Sequence, residues 1–171
     1  MSNAFNTRDN EAIYNKYLEM LRVKLIAKYD ELGLRASGLY ADSLEPEVTP
    51  TKMIMWGADH SYYMENGRAS GKFPPYNPDT GTFDEISEWV DKKGILPADF
   101  AENKKGFVFL VARKIATEGI TVPNEHNKGK VITEVVDDFL ANDLAKMLDE
   151  LGEVFMSRIQ VDVLEIFREV A

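Results

Sequence analysis

The residues that first invite a chemical reading are Gly67-Arg68-Ala69-Ser70-Gly71-Lys72. A phosphate-binding P-loop sets four residues between its glycines and follows them with Lys and a hydroxyl residue. Backbone N–H groups then wrap a phosphate while the hydroxyl holds magnesium. Here three residues intervene, Phe73 stands where the hydroxyl would be, and Pro74-Pro75 replace the helix. Nucleotide chemistry is not expected. Asn77-Pro78-Asp79-Thr80-Gly81, with Glu88 eleven residues after Asn77, echoes a calcium loop. Its glycine comes one position early and a helix begins before the ligands could encircle an ion. A turn leading into a helix accounts for the same residues.

The two histidines, His60 and His126, lie far apart and lack the i, i+4 partner of a zinc helix. Seven serines form no G-x-S-x-G elbow, and the chain has no cysteine to act as nucleophile, thiolate ligand or disulfide. Asp137 and Asp138 fall where a helix shows its solvated face, and nothing marks them as a catalytic pair. The sequence therefore predicts no enzyme, no cofactor and no metal. Net charge is −9, from 20 basic and 29 acidic residues, which disfavours a protein that grips nucleic acid across its surface. No run of about eighteen apolar residues and no leader-like apolar segment occurs, so no membrane association is expected.

What remains is contact with other proteins. Tyr62 to Ile95 packs two aromatics, a glycine-hinged basic loop and a double proline into a short span, then returns to order as a helix carrying Trp89. Gly67 and Gly71 permit positive φ or close approach, and Pro75 restricts Pro74 to extended backbone. Tyr62, Tyr63, Arg68, Phe73 and Trp89 are residue types enriched at interface hot spots. The candidate interface is thus Tyr62, Tyr63, Gly67, Arg68, Gly71, Lys72, Phe73, Pro74 and Pro75. Trp89 is expected in the core, under its own helix. Arg68 and Lys72 are expected either to be solvated or to meet acidic surface on a neighbour.

The elements positioning this stretch follow from periodicity. Residues 1–9 are polar. Tyr14, Tyr17, Leu18, Leu21, Leu25, Tyr29 and Leu32 predict a helix from about Asn10 to Leu32, stopped by Gly33. Ser43–Thr49, carrying Pro46, and Thr51–Gly57 read as an antiparallel hairpin. A short helix is expected over Ala58–Asn66. Another is expected over Phe83–Lys93, with a Thr82/Glu85 capping box and one face formed by Phe83, Ile86, Trp89 and Val90. A short helical piece is expected near Pro97–Asn103. Gly106–Glu118, apolar on nearly all sides before Arg113, reads as a centrally buried helix. Ile120–Gly129 is a polar loop. From Val131 to the end a helical stripe continues, and Gly152 marks either a bend that folds it back or a point on a long helix meeting another subunit.

In order, Ser37, Gly38, Leu39, Ser43 and Leu44, then Tyr62 to Pro75, then Ile86, Trp89, Val90, Lys93, Gly94 and Ile95, then Phe109–Ile120 resemble the neck and tail-completion proteins of tailed phages, the HK97 gp10-like minor structural proteins. The resemblance spans about residues 36–122. It implies an α+β fold, with a small antiparallel sheet packed against several helices, and assembly into a homo-oligomeric ring at the head–tail junction of the virion. DNA would pass through that ring without sequence-specific binding, and portal, adaptor or tail-tube proteins would adjoin it. Synthesis would take place in the host cytoplasm. The resemblance carries no catalytic residues. It gives Gly67–Pro75 the role of a contact between ring subunits or with the adjoining ring. Residues 131–171 are longer and more helical than the family leads one to expect. The expected division is therefore an α+β domain over 1–130 and a helical extension, one long helix or a helical pair, over 131–171. The alternative function is a soluble adaptor that binds one protein partner as a monomer or dimer.

Overall fold

The computed structural model of the chain describes residues 7–35 and 38–170; residues 1–6, 36–37 and 171, Ser37 of the resemblance among them, fall outside those ranges. The fold is α+β. In order it runs α1 (Thr7–Glu31), α2 (Leu39–Asp42), β1 (Glu45–Thr49), β2 (Lys52–Trp56), α3 (His60–Asn66), α4 (Asp84–Lys93), a 3-10 turn (Ala98–Phe100), α5 (Lys104–Glu118), α6 (Val131–Asn142) and α7 (Leu144–Val170). The first helix starts three residues before the expected Asn10. It ends as its sequence requires. Gly33 takes φ 66° and its N–H donates to Asp30 O, while Leu34 N–H donates to Tyr29 O. That pair of bonds is a Schellman closure, for which glycine is the favoured residue.

The chain divides into two compact units, each drawn from separate segments of the sequence, with one segment boundary between Val131 and Ile132. One unit takes the chain as far as Lys28, Ser43–Gly57 and the chain from Ile132. The other takes Tyr29–Asp42 and Ala58–Val131. The C-terminal helices belong with the N-terminal one because they share a core: Ile13 and Tyr17 of α1 cluster with Phe139 of α6 and with Met147 and Leu151 of α7. The rings of Tyr17 and Phe139 meet edge to face at 6.2 Å.

The hairpin pairs β1 and β2 antiparallel, with Glu45 opposite Trp56 and Thr49 opposite Lys52. Pro50-Thr51 make the turn, and Thr49 Oγ1 accepts from Lys52 N–H at 3.2 Å. Met53 packs on the same core as α1. Trp56, on the other face, is exposed and donates its Nε1–H to Glu47 at 2.6 Å.

One core position in this unit is not apolar. Phe139, Asp143, Met147 and Leu151 stand four residues apart on one helical line, and all four are buried. Asp143 marks the seam between α6 and α7, yet helical bonding runs through it, from Asp143 N–H to Phe139 O and from Met147 N–H to Asp143 O. Its carboxylate is met by Lys24 of α1 at 2.5 Å and by Lys146 at 3.2 Å, and Lys24 also reaches Asp138 at 2.7 Å. Hydrogen bonds from Lys24 hold the Asp143 and Asp138 carboxyls below their usual range. Hydrogen bonds from Lys16 and Tyr17 do the same for Glu150.

A carboxyl with a depressed folded pKa contributes stability above its unfolded pKa, near 4. It loses that contribution as pH falls through the folded value. The melting temperature should therefore drop as pH is lowered from about 5 to 3. Lys24→Met should flatten that slope while lowering stability at neutral pH, because it leaves Asp143 with Lys146 alone. An unchanged slope in differential scanning calorimetry would remove the pair from the explanation.

Of the two readings of Gly152, a bend or a point on a long helix, the bend is absent. The α7 helix is unbroken from Leu144 to Val170, held on both sides of Gly152 by core contacts of Met147, Leu151 and Val154. An alanine Cβ at Gly152 would meet nothing within 4 Å, and its φ is not positive. Gly152→Ala should therefore stabilise the protein by about 0.5–1 kcal/mol through helix propensity alone. A thermal melt that moved down would reveal a role for flexibility there. No described helix is long and apolar enough to cross a membrane.

In the second unit, Phe83, Ile86 and Val90 of the α4 segment form a core with Val108 and Ala112 of α5. The expected capping box does not form. The N-cap is Phe83, because Asp84 rather than Glu85 organises the helix start. Trp89 is not in the core but 42% exposed, since Ile86 and Val90 take the buried face. Nor is α5 buried on all sides. Val108, Ala112 and Ala116 line its inner face, while Phe109 and Leu110 are about half exposed. Gly94 closes α4 with a second Schellman pair, from Gly94 N–H to Asp91 O and from Ile95 N–H to Val90 O.

Candidate functional site

The glycine-hinged loop is latched to the end of α5. Arg68 N–H donates to Ile120 O and Ile120 N–H to Arg68 O, both at 2.8 Å, forming an isolated antiparallel bridge. Gly71 N–H donates at 2.7 Å to Ala116 O, one of the carbonyls that the last turn of α5 leaves without a helical partner. The bridge brings the two backbones so close that both flanking residues must be glycine. Gly67 has φ 76°, ψ −166° and Gly119 has φ 77°, ψ −163°. A Cβ on Gly67 would overlap Ile120 O, and one on Gly119 would overlap Arg68 O. Gly71, at φ 106°, needs glycine for its backbone angle only, as nothing lies within 4 Å of an added Cβ.

The two cations differ. Arg68 is half-buried, and its guanidinium turns back to donate to Phe73 O at 3.2 Å, fixing the exit of the loop. Lys72 is exposed at the tip. Pro74 is buried and anchors the turn, whereas Pro75 is exposed. Tyr62 and Tyr63 stand exposed on α3, their rings edge to face at 5.6 Å.

From this anchored exit Phe73 lies over two further rings. It stacks on Phe83 at 6.0 Å and 19°, and on Phe109 of α5 at 6.3 Å and 22°. Tyr76 meets Phe83 edge-on at 5.2 Å. Phe83 is buried, but Phe73, Tyr76 and Phe109 are each about half exposed. Together with Gly81, Thr82 and Lys105 they line a cleft of about 490 Å³. That size suits one or two side chains of a partner or a small ligand.

The far wall of the cleft is a knotted turn. Asn77 Oδ1 accepts from Asp79 N–H at 3.0 Å, and its Nδ2 donates to Asp84. Thr80 Oγ1 donates to the other oxygen of Asp84 at 2.6 Å. Those bonds, the one from Thr80 foremost, hold the Asp84 carboxyl below its usual range. Lys105 donates to Thr80 O at 2.8 Å, tying the turn to α5. The residues that echoed a calcium loop are thus engaged with one another and with the start of α4.

The structure therefore brings Gly67, Arg68, Gly71, Phe73 and Pro74 into one latched loop, and Phe73 into an aromatic cleft. Tyr62 and Tyr63 are surface residues of the preceding helix. Sequence reading missed Tyr76, Phe83, Lys105 and Phe109 as cleft residues. The available signal was Phe109-Leu110, which breaks the inner-face pattern of α5. It also missed Gly119 and Ile120 as the other half of the latch. Comparison of the chain with protein-family models, curated proteins and solved structures finds no match in any of the three.

Proposed function

We propose that this chain is a non-enzymatic structural subunit that assembles by protein–protein contact, as a ring at the head–tail junction of a tailed phage. The observation that carries the reading is the latched loop, which holds Phe73 half exposed against Phe83 and Phe109. Exposed aromatic area costs least to use at an interface when its backbone is already fixed, because little conformational freedom is then lost on binding. A loop pinned by three backbone hydrogen bonds and two obligatory glycines meets that condition.

The phage setting rests on the order of motifs from Gly38 to Ile120, which resembles neck and tail-completion proteins. The charge of −9 fits a channel wall that DNA traverses without adhering. A ring contact is heterologous, so each subunit must offer two different surfaces. The aromatic cleft supplies one of them.

A soluble adaptor acting as a monomer or dimer is the rival reading, favoured by the concave shape of the cleft, which could seat one partner segment. Antibody labelling of purified phage particles, after mild disruption, separates the two. Label concentrated at the head–tail junction supports the ring. Intact and disrupted particles that never carry the chain overturn it.

A further inference from the structure

The α7 helix carries two stripes. At 100° per residue, Leu144, Met147, Leu151, Val154 and Arg158 share one side, and the first four of them pack against the core formed with α1. Beyond Val154 that side turns polar, with Arg158, Asp162 and Glu165. A second stripe, roughly 120° round the helix, then becomes continuously apolar. It contains Leu148, Phe155, Met156, Ile159, Val163, Ile166 and Phe167, every one of them 42% to 70% exposed. Val161 and Leu164 lie outside it and are the scattered exposures that any surface shows.

A helix whose own-core side turns charged where its outer side turns apolar has exchanged one burial face for another. The exposed fractions, on side chains of roughly 200 Å² each, leave on the order of 700–800 Å² of apolar surface. That exceeds the ~300–600 Å² of the largest patch on a typical monomer. It is close to the ~800 Å² per partner of a standard stable interface.

We propose that this outer stripe packs against the same stripe of α7 in a second copy of the chain, the helices parallel. Charge favours a second copy over other occupants. The protein as a whole carries −9 and repels itself, but residues 155–168 hold two basic residues (Arg158, Arg168) and two acidic ones (Asp162, Glu165), a net of zero. Repulsion is therefore weakest where the apolar stripe is strongest. The same balance argues against an anionic lipid surface, which selects helices rich in Lys and Arg on the polar face. In a parallel pair the edge bearing Asp162 meets the edge bearing Gln160, so no like charges are opposed. The contact needs no particular biological setting and stands apart from the head–tail reading.

The absence of cysteine makes the test direct. Single Ile159→Cys, Ile166→Cys and Glu165→Cys variants of the full chain are oxidised mildly, and covalent dimers are read on a non-reducing gel. Bridging requires Cα atoms within about 7 Å. Dimers from Ile159→Cys and Ile166→Cys, and at least tenfold less from Glu165→Cys, are expected. Sedimentation velocity of the cysteine-free chain should show concentration-dependent self-association, weakened at least tenfold by Ile159→Asp with circular dichroism unchanged. A chain that stays monomeric across the concentration series and forms no bridge at either isoleucine overturns the proposal, as does equal bridging at Glu165. Cross-linking of 159 to 166 between mixed variants, without either self-bridge, overturns the parallel arrangement. None of these results touches the particle-labelling experiment, so the two readings fail independently.

Discussion

Gly67→Ala should destabilise the protein by more than about 3 kcal/mol, and Gly119→Ala by a similar amount. Two costs add. The first is conformational: φ near 76° with ψ near −165° is a region only glycine enters freely, and a side chain there costs of order 1–3 kcal/mol. The second is steric. The new Cβ falls on the backbone of the partner strand, on Ile120 O for Gly67 and on Arg68 O and Ser70 N for Gly119. Backbone cannot rotate away as a side chain can, so the two segments must separate and give up the paired 2.8 Å hydrogen bonds between Arg68 and Ile120. Each bond contributes about 1 kcal/mol, more if its groups stay buried without partners.

Gly71→Ala is the internal control. It carries a positive φ in open space, so only the conformational cost applies, about 1–2 kcal/mol. Chemical denaturation of the three variants measures the difference. Equal losses at Gly67 and Gly71 would mean that close approach of the two backbones is not what selects glycine.

The sequence revealed Gly67 and Gly71 as a pair because they flank a conspicuous basic loop. It did not reveal that Gly67's true counterpart is Gly119, fifty-two positions on. Local spacing reports local geometry, and the latch is a contact between distant segments. The same limit separates the readings that held from those that failed. Helix ends at Gly33 and Gly94 were legible because a Schellman closure is written within six residues. The hairpin was legible because Pro50-Thr51 interrupts two alternating runs.

The burial of α5 was not legible. An apolar residue on an outer face looks the same in sequence whether it meets core or lines a cleft, and Phe109 lines a cleft. Trp89 failed for the related reason that Ile86 and Val90 take the buried face of α4. The capping box failed through competition. Asp84 accepts from Asn77 and Thr80, and that network sets the first turn in place of Thr82 and Glu85. Asp143 could have been found: an acidic residue four positions from Phe139 and four from Met147 sits on an apolar line and calls for a cationic partner. Lys24 provides it, from more than a hundred residues away.

On the proposed reading, Phe73→Ala should leave the chain folded and weaken assembly roughly thirtyfold or more. Half of the ring is already in water. Removing it costs the remaining contact with Phe83 and Phe109, about 1–3 kcal/mol for two aromatic pairs. The loop stays where it is, because Arg68 donates to the Phe73 carbonyl and not to its side chain, and because the latch lies upstream at Gly67 and Gly71. In a protein interface the same side chain would be fully desolvated at the centre of a preformed aromatic surface. Truncation of such an anchor costs 2 kcal/mol or more, roughly thirtyfold in affinity. Phe109→Ala should behave alike, since Phe109 forms the other exposed wall. Val23→Ala, at an isolated exposed residue of α1, should change neither property. The measurement is paired: a thermal melt for stability, and incorporation into particles by complementation of a deletion for assembly. A Phe73→Ala chain that melts within a few degrees of the parent and incorporates normally would show that the aromatic cleft is not the contact surface. If it melted far lower, Phe73 would belong to the core, and its exposure would no longer argue for a partner.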